Sequence, residues 1–353
     1  MQSESIFFSF LSTFVLISFF VTLIIKKISL KFFSNFLLDK DFEKPQAFHK
    51  DSIPRCGGLS SIILLIIFSI MNFLFFQNIL IDYFVIGLLL FFVGFLDDIK
   101  TKISPNLRLI LMIFFLTLSI YIFQIEVYDV DWAFLDQLLS NRLFHIVFIL
   151  LCFLFIINGA NLIDGFNGLL VINLLIINFI LLSINIVDGN NQLVLIIITQ
   201  IIMLFCFLMF NFPKAQVFLG DSGSYFFGSL IVLNIIKTNN SHSGISSFFF
   251  CVILFYLFFE VFFSFFRKIY LKKSPLKPDS NHLHMLSYRW LEKSQKFNDC
   301  NYLNSILINS IYVLLILPAL FLKDNATFCK YWFFSLLIIY ILFYLRLYSF
   351  TKK

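Results

Sequence analysis

The chain is 353 residues long, 60% hydrophobic and only 13% charged, with a formal net charge of +6. A soluble domain carries about 25% charged residues, so a soluble enzyme or a tethered globular domain is excluded. Charge at the cytoplasmic face, near anionic lipid, accounts for the positive balance without a nucleic-acid partner. The expectation is an all-α, polytopic integral membrane protein, one domain over residues 1–353.

Apolar runs predict about eleven spans, at 6–25, 57–76, 79–96, 108–124, 143–158, 168–185, 192–210, 222–237, 246–266, 303–322 and 331–347. Glu4 precedes the first run, while Lys26, Lys27 and Lys31 follow it; this describes a first membrane helix with its N-terminus outside, not a cleavable signal peptide. An odd number of spans leaves the C-terminus in the cytoplasm. All but four of the 26 Lys and Arg residues then fall inside, the exceptions being Arg142, Lys237, Lys323 and Lys330. The positive-inside rule demands this bias. The longest inner loop covers about 267–302. Six scattered cysteines support neither a zinc site nor a disulfide framework.

Every unusual polar cluster lies on the cytoplasmic face in this topology. In chain order, the first is His49-Lys50-Asp51-Ser52-Ile53-Pro54-Arg55-Cys56-Gly57-Gly58. Lys50 and Arg55 suit a nucleotide or lipid phosphate, and the glycines permit close backbone approach; juxtamembrane charge before a flexible turn is the plainer alternative. The second ends the third span with Asp97-Asp98, adjacent carboxylates that repel unless a cation sits near them. A charged helix terminus at the interface is its plainer alternative.

Third comes Asn158-x-x-Asn161-x-x-Asp164-Gly165-Phe166-Asn167-Gly168, a polar stripe between two strongly apolar runs. Its every-third-residue spacing puts the polar groups roughly on one helix face, and an ionisable group at membrane depth costs at least ~2.5–3.5 kcal/mol. A polar helix-to-helix turn competes with a functional reading. Fourth, Phe218-Leu219-Gly220-Asp221-Ser222-Gly223-Ser224 opens the eighth span. Asp221 there would spoil anion binding alone but would hold Mg²⁺ that in turn binds phosphate; an Asp/Ser N-cap competes. Fifth, His282-Leu283-His284 follows Asp279 in the longest inner loop, suited to phosphate hydrogen bonding or proton transfer rather than to a closed metal site. Together, separated carboxylates, histidines and basic groups on one membrane face describe a metal-assisted reaction on phosphates at the lipid boundary.

This set resembles the polyprenyl-phosphate N-acetylhexosamine-1-phosphate transferase family, which includes the enzymes that start O-antigen, common-antigen and teichoic-acid lipid intermediates and the MraY translocase of peptidoglycan synthesis. The resemblance rests on Pro54-Arg55-Cys56-Gly57-Gly58, Phe95-Leu96-Asp97-Asp98, Asn161 through Gly168, Phe218 through Ser224, and His282-Leu283-His284, in family order from about residue 44 to 286. It implies a bacterial cytoplasmic-membrane enzyme that joins a UDP-N-acetylhexosamine to polyprenyl phosphate with release of UMP, using Mg²⁺, or Mn²⁺ in its place. By motif, Asp97, Asp98 and Asp221 would be metal and catalytic carboxylates, with Asp164, His282 and His284 also catalytic. Lys50, Arg55, Asn161, Asn167 and Phe218 would bind substrate, Phe218 by stacking on uracil. A homodimer through membrane helices is also implied by resemblance.

Two departures stand out. Asn167 replaces a second Asp, so it keeps hydrogen bonding but cannot act as a base, and Met285 follows where many members have another His. The short His-Leu-His loop leans towards the O-antigen initiating group; MraY chemistry on a UDP-muramoyl-pentapeptide is the alternative. A lipid-phosphate transporter would need midspan charges, for which Glu260 is almost the only candidate. An inactive scaffold is the remaining rival, with the retained Asp97, Asp98, Asp164 and Asp221 against it.

Overall fold

The computed structural model describes residues 2–32, 37–39, 52–99, 101, 103–187, 191–274, 279–295 and 299–352. Its helices are α1 (Gln2–Phe32), α2 (Gly57–Phe76), α3 (Ile81–Asp98), α4 (Pro105–Ile122), α5 (Ala133–Leu139), α6 (Arg142–Ile163) and α7 (Leu169–Val187). They continue as α8 (Asn191–Asn211), α9 (Gly220–Ser241), α10 (Ser247–Tyr270), α11 (Leu283–Lys293), α12 (Cys300–Phe321) and α13 (Ala326–Lys352). Strands β1 (Leu38–Asp39) and β2 (Ile53–Pro54) pair antiparallel, with Leu38 opposite Pro54.

Each expected span corresponds to a helix of 18 residues or more, so the protein is an all-α polytopic membrane protein. Nine of these helices, among the described residues, are long and apolar enough to cross a bilayer; α3 and α9 are the other two. α3 carries Asp82, Asp97 and Asp98, and α9 carries Asp221, Lys237 and many Ser and Asn residues. Position explains the polarity of α9. It is buried almost without break from Gly220 to Ile236, packed against α2, α3, α6 and α7. A helix enclosed by protein needs no lipid-compatible surface, provided its polar groups are paired. Asn234 Nδ2 donates to Gln200 Oε1 of α8 at 2.8 Å and to Asn178 Oδ1 of α7 at 3.2 Å. These bonds fix the rotation of α7, α8 and α9 against one another.

Caps set the boundaries that matter for function. Ser104 accepts the Leu107 N–H at 3.2 Å and Pro105 takes the first helical position, so α4 starts three residues before its apolar run. Arg108 is thereby placed inside the helix. α6 runs on to Ile163, with Asn161 in its last turn and Asp164 as its C-cap. Two helices were not predicted: α5, between the expected spans 108–124 and 143–158, and α11, in the longest inner loop.

The five polar clusters meet at one end of the bundle, as far as they are described. Gly57 and Gly58 N–H donate to the Phe218 and Leu219 carbonyls at 3.0 and 2.9 Å, joining α2 to the α8–α9 loop. Asn167 N–H donates to Asn301 Oδ1 of α12 at 2.8 Å. The opposite end holds different contacts, including the ion pair of Asp82 with Lys237 and the bond from Ser246 Oγ to Asp131 at 2.7 Å.

Candidate active site

The start of α9 is the point around which the site is built. The first N–H groups of a helix lack intrahelical partners and carry the positive end of the dipole. Here carboxylates from two other helices meet them. Asp98, at the end of α3, accepts from the Asp221 N–H at 3.0 Å, the Ser222 N–H at 2.9 Å and the Ser222 hydroxyl at 2.5 Å. Asp164, at the end of α6, accepts from the Gly220 N–H. The junction needs glycine: a Cβ on Gly94 would lie 2.4 Å from the Asp221 carbonyl oxygen, and Gly220 has φ +78° with Asp98 in the space a Cβ would take. Burial, and next the neighbouring Asp221, push the Asp164 carboxyl well above the usual carboxylate range, against the opposing effect of Arg55.

These contacts divide the predicted carboxylates. Asp98 was expected among the metal ligands, but it is buried with both oxygens engaged by α9, so its geometry is that of a helix anchor. Asp97 and Asp221 are partly open, and their Oδ2 atoms converge on one cation: Arg108 Nη1 lies 2.9 Å from each. Arg55 binds Asp39 through Nε and Nη2, at 3.0 and 2.7 Å, and its Nη1 lies 3.9 Å from Asp98. Burial would lower the Arg55 pKa, but the carboxylates of Asp221, Asp39 and Asp98 outweigh it and leave it raised. Arg55 is therefore permanently charged at the rim of the cluster.

Asn161 Nδ2 donates to Ser224 Oγ at 3.2 Å, in the first turns of α9, so it borders the cluster. Phe218 is half-buried beside Arg55, their backbones joined in a parallel bridge. Asn167 differs from its expected place among substrate-binding residues. Its Nδ2 donates to the Pro213 carbonyl at 2.9 Å while its backbone N–H binds Asn301, so it fastens the α6–α7 turn to neighbouring segments. A carboxylate there could not donate to that carbonyl, which gives the Asn for Asp departure a local reason. Lys50 lies outside the described residues.

His282 and His284 form a second group, at the start of α11. Glu260 of α10 sits between them, its Oε2 3.1 Å from His282 Nδ1 and its Oε1 3.3 Å from His284 Nδ1. The rings are nearly parallel, 12° apart, with centroids separated by 5.5 Å. A carboxylate can only accept, so the Nδ1–H of each ring donates towards Glu260, leaving Nε2 as the second nitrogen of each ring. Both Nε2 atoms are buried and, among the described residues, without a hydrogen-bond partner. Burial lowers the His282 pKa, with the bond to Glu260 opposing it, so the ring favours its neutral form. The His284 ring meets Phe166 edge-on at 5.8 Å, which ties this group to the turn holding Asp164.

Among the described residues, no three His, Cys, Asp or Glu side chains are grouped as a closed metal cage. Asp97 and Asp221 instead suit an ion bound through one or two carboxylates that shares its remaining positions with phosphate and water, the usual habit of Mg²⁺. Their convergence on a cation in this structure is the observation that supports the fit. Arg108, Asp39 and Glu260 belong to the site although the motifs did not single them out. Arg108 had one legible signal: a cation in the first turn and a half of a helix opposes the dipole and needs another reason to be there. Glu260 had another, as an isolated charge within an apolar span.

The comparisons with known proteins point the same way. Residues 80–239 match the family model described as glycosyl transferase family 4. A phospho-N-acetylmuramoyl-pentapeptide-transferase of Dictyoglomus turgidum is 32% identical, the match covering 63% of this chain and 73% of that protein. An undecaprenyl-phosphate alpha-N-acetylglucosaminyl 1-phosphate transferase of Thermotoga maritima is 27% identical over 79% of this chain and 81% of its own length. The matched segment carries the Asp97-Asp98 pair, the Asn161–Gly168 turn and the α9 start, the three elements that assemble the carboxylate cluster. The chain belongs to glycosyl transferase family 4, the membrane phosphotransferases of the MraY and WecA type.

Proposed function

We propose that this protein transfers an N-acetylhexosamine-1-phosphate, such as GlcNAc-1-phosphate, from a UDP-sugar to a polyprenyl phosphate at the cytoplasmic face of a bacterial inner membrane. An oxygen of the lipid phosphate attacks the β-phosphorus of the nucleotide sugar; the bond from that phosphorus to the UMP oxygen breaks, leaving UMP and a polyprenyl-diphosphate sugar. The observation that carries this reading is the convergence of Asp97 and Asp221 on one cation at the start of α9.

Asp97 and Asp221 would hold Mg²⁺, which when bound neutralises phosphate charge. Arg108, set between the same carboxylates, and Arg55 add fixed positive charge where the two phosphate-bearing substrates would otherwise repel each other. Asp98 and Asp164 act on α9, orienting Asp221 by holding its backbone. Asn161 and Phe218 border the cluster and would meet the nucleotide. The Nε2 atoms of His282 and His284, without a hydrogen-bond partner among the described residues, would exchange a proton with the acceptor phosphate or a sugar hydroxyl.

A second donor, UDP-muramoyl-pentapeptide, is favoured by the 32% identity to the Dictyoglomus turgidum protein. GlcNAc-1-phosphate as cargo is favoured by the broader coverage of the Thermotoga maritima relative, which is matched over 81% of its length. Membranes or proteoliposomes containing polyprenyl phosphate and Mg²⁺, supplied with each donor in turn, decide between them. UMP and a lipid-linked sugar from UDP-GlcNAc are expected; product from the pentapeptide donor alone moves the assignment to peptidoglycan synthesis. No UMP from either donor, or from a panel of other UDP-amino sugars, overturns the catalytic reading.

A further inference from the structure

A cavity of about 410 Å³ lies between α10, α11, α12 and α13. Ile311 and Leu315 of α12 and Ile339 and Phe343 of α13 form apolar walls, with Trp290 of α11 and Arg346 of α13 also lining it. From Arg346 the lining runs back along α13 to Ile339, about 10 Å at a helical rise of 1.5 Å per residue. That is about two thirds of one leaflet of a ~30 Å hydrocarbon core, the depth of the upper part of an acyl chain. The slot also reaches Tyr256, one helical turn from Glu260 on α10, and Leu283, between the two histidines.

Arg346 makes the slot more than a gap in an apolar surface. Its side chain is exposed and has no hydrogen-bond or ion-pair partner among the described residues. A guanidinium beside an apolar slot, near the polar end of α13, is complementary to a lipid that ends in phosphate. We propose that the slot binds an anionic diacyl phospholipid of the surrounding bilayer, one acyl chain lying in the slot and its phosphate on Arg346. The polyprenyl acceptor fits less well. None of the lining residues comes from α3, α4, α6 or α9, the helices that carry Asp97, Arg108, Asp164 and Asp221, so a phosphate on Arg346 is not the one presented to those carboxylates. The proposal concerns lipid binding and stands whether or not the transferase reading does.

The test uses the full-length protein in nanodiscs, with phosphatidylglycerol and phosphatidylcholine bearing brominated acyl chains as probes. Trp132→Phe and Trp332→Phe leave Trp290 as the reporter in the slot. Phosphatidylglycerol is expected to quench Trp290 at about fivefold lower lipid fraction than phosphatidylcholine, the effect of one basic residue near the surface. Arg346→Gln should abolish that preference and Arg346→Lys should retain it; both sit at an exposed position and are checked for unchanged thermal unfolding. Leu315→Phe, which fills the deeper part, should reduce quenching by either lipid. Equal quenching of Trp290 by the two lipids with Arg346 intact overturns the proposal. So does native mass spectrometry that finds polyprenyl phosphate, rather than phospholipid, as the lipid lost on Arg346→Gln.

Discussion

The carboxylate cluster at α9 and the Glu260–histidine group at α11 handle buried charge in opposite ways. At α9 several carboxylates are gathered, and each is offset separately: Asp98 and Asp164 by backbone N–H groups, Asp97 and Asp221 by Arg108. At α11 one carboxylate serves two imidazoles and leaves one nitrogen of each without a partner among the described residues. The first arrangement fixes positions and concentrates opposing charge, as phosphate chemistry requires. The second orients two imidazoles in a desolvated place, an arrangement suited to proton transfer. Residues of the same type thus take different roles according to what their second partner is.

That contrast breaks most sharply at the two open carboxylates. Asp97→Asn and Asp221→Asn should each lower UMP release by about 10³-fold, since each removes charge opposite a cation in a partly desolvated site. Asp98→Asn should act differently. Its amide can still accept from one or two α9 N–H groups but no longer opposes the helix dipole, so thermal stability should fall by about 1–2 kcal/mol together with activity. Equal activity losses for Asp97→Asn and Asp98→Asn, with unchanged stability in both, would show that the division between holding and reacting carboxylates is wrong.

The histidine group offers the next largest effect. Glu260→Gln leaves one acceptor oxygen for two Nδ1–H groups and sets a donor NH2 against the other, frees that tautomer and should reduce kcat by about 10- to 100-fold, with Glu260→Asp partly active. The pH profile supplies the control. Because burial lowers the His282 pKa below 6.5, the folded protein favours the neutral ring, and acid favours its unfolded, protonated form. Stability from this group is present above about pH 6.5 and is lost as pH falls through that value towards the lower folded pKa. A stability curve that is flat between pH 5 and 7 in the wild type, and unaltered in His282→Gln, contradicts this.

Packing at the α9 junction should give a smaller change. A methyl group on Gly94 meets backbone of Asp221 and Ser222, which cannot move aside as a side chain can. Gly94→Ala should therefore cost about 1–3 kcal/mol of stability, read by thermal unfolding in detergent. Asn167→Asp is the mildest. It replaces an amide that donates to the Pro213 carbonyl and should cost about 1 kcal/mol while leaving the Mg²⁺ dependence of the reaction in place. A large rise in activity on restoring the acid would instead move that position into the reacting site.

The amino-acid sequence by itself determined the membrane class, the long helices and the residue types of the carboxylate cluster. Apolar runs of span length have few alternatives in lipid, where backbone groups must be satisfied within a helix. The polar residues at the ends of 79–96, 143–158 and 222–237 stand out because polarity is costly there. Tertiary structure alone decided how they divide the work. Asp97 and Asp98 are neighbours in the chain, yet a rotation of about 100° per residue turns one towards Arg108 and Asp221 and the other into the start of α9. Asn167 reads as a ligand by its motif and becomes a fastening by its contact with Pro213, a residue 46 positions away. Glu260, read as a stray intramembrane charge, acquires its meaning only when α11 folds back and sets two imidazoles against it. Local pattern records the cost of each polar group; the partner that meets that cost lies on another helix, and only the packed bundle brings the two together.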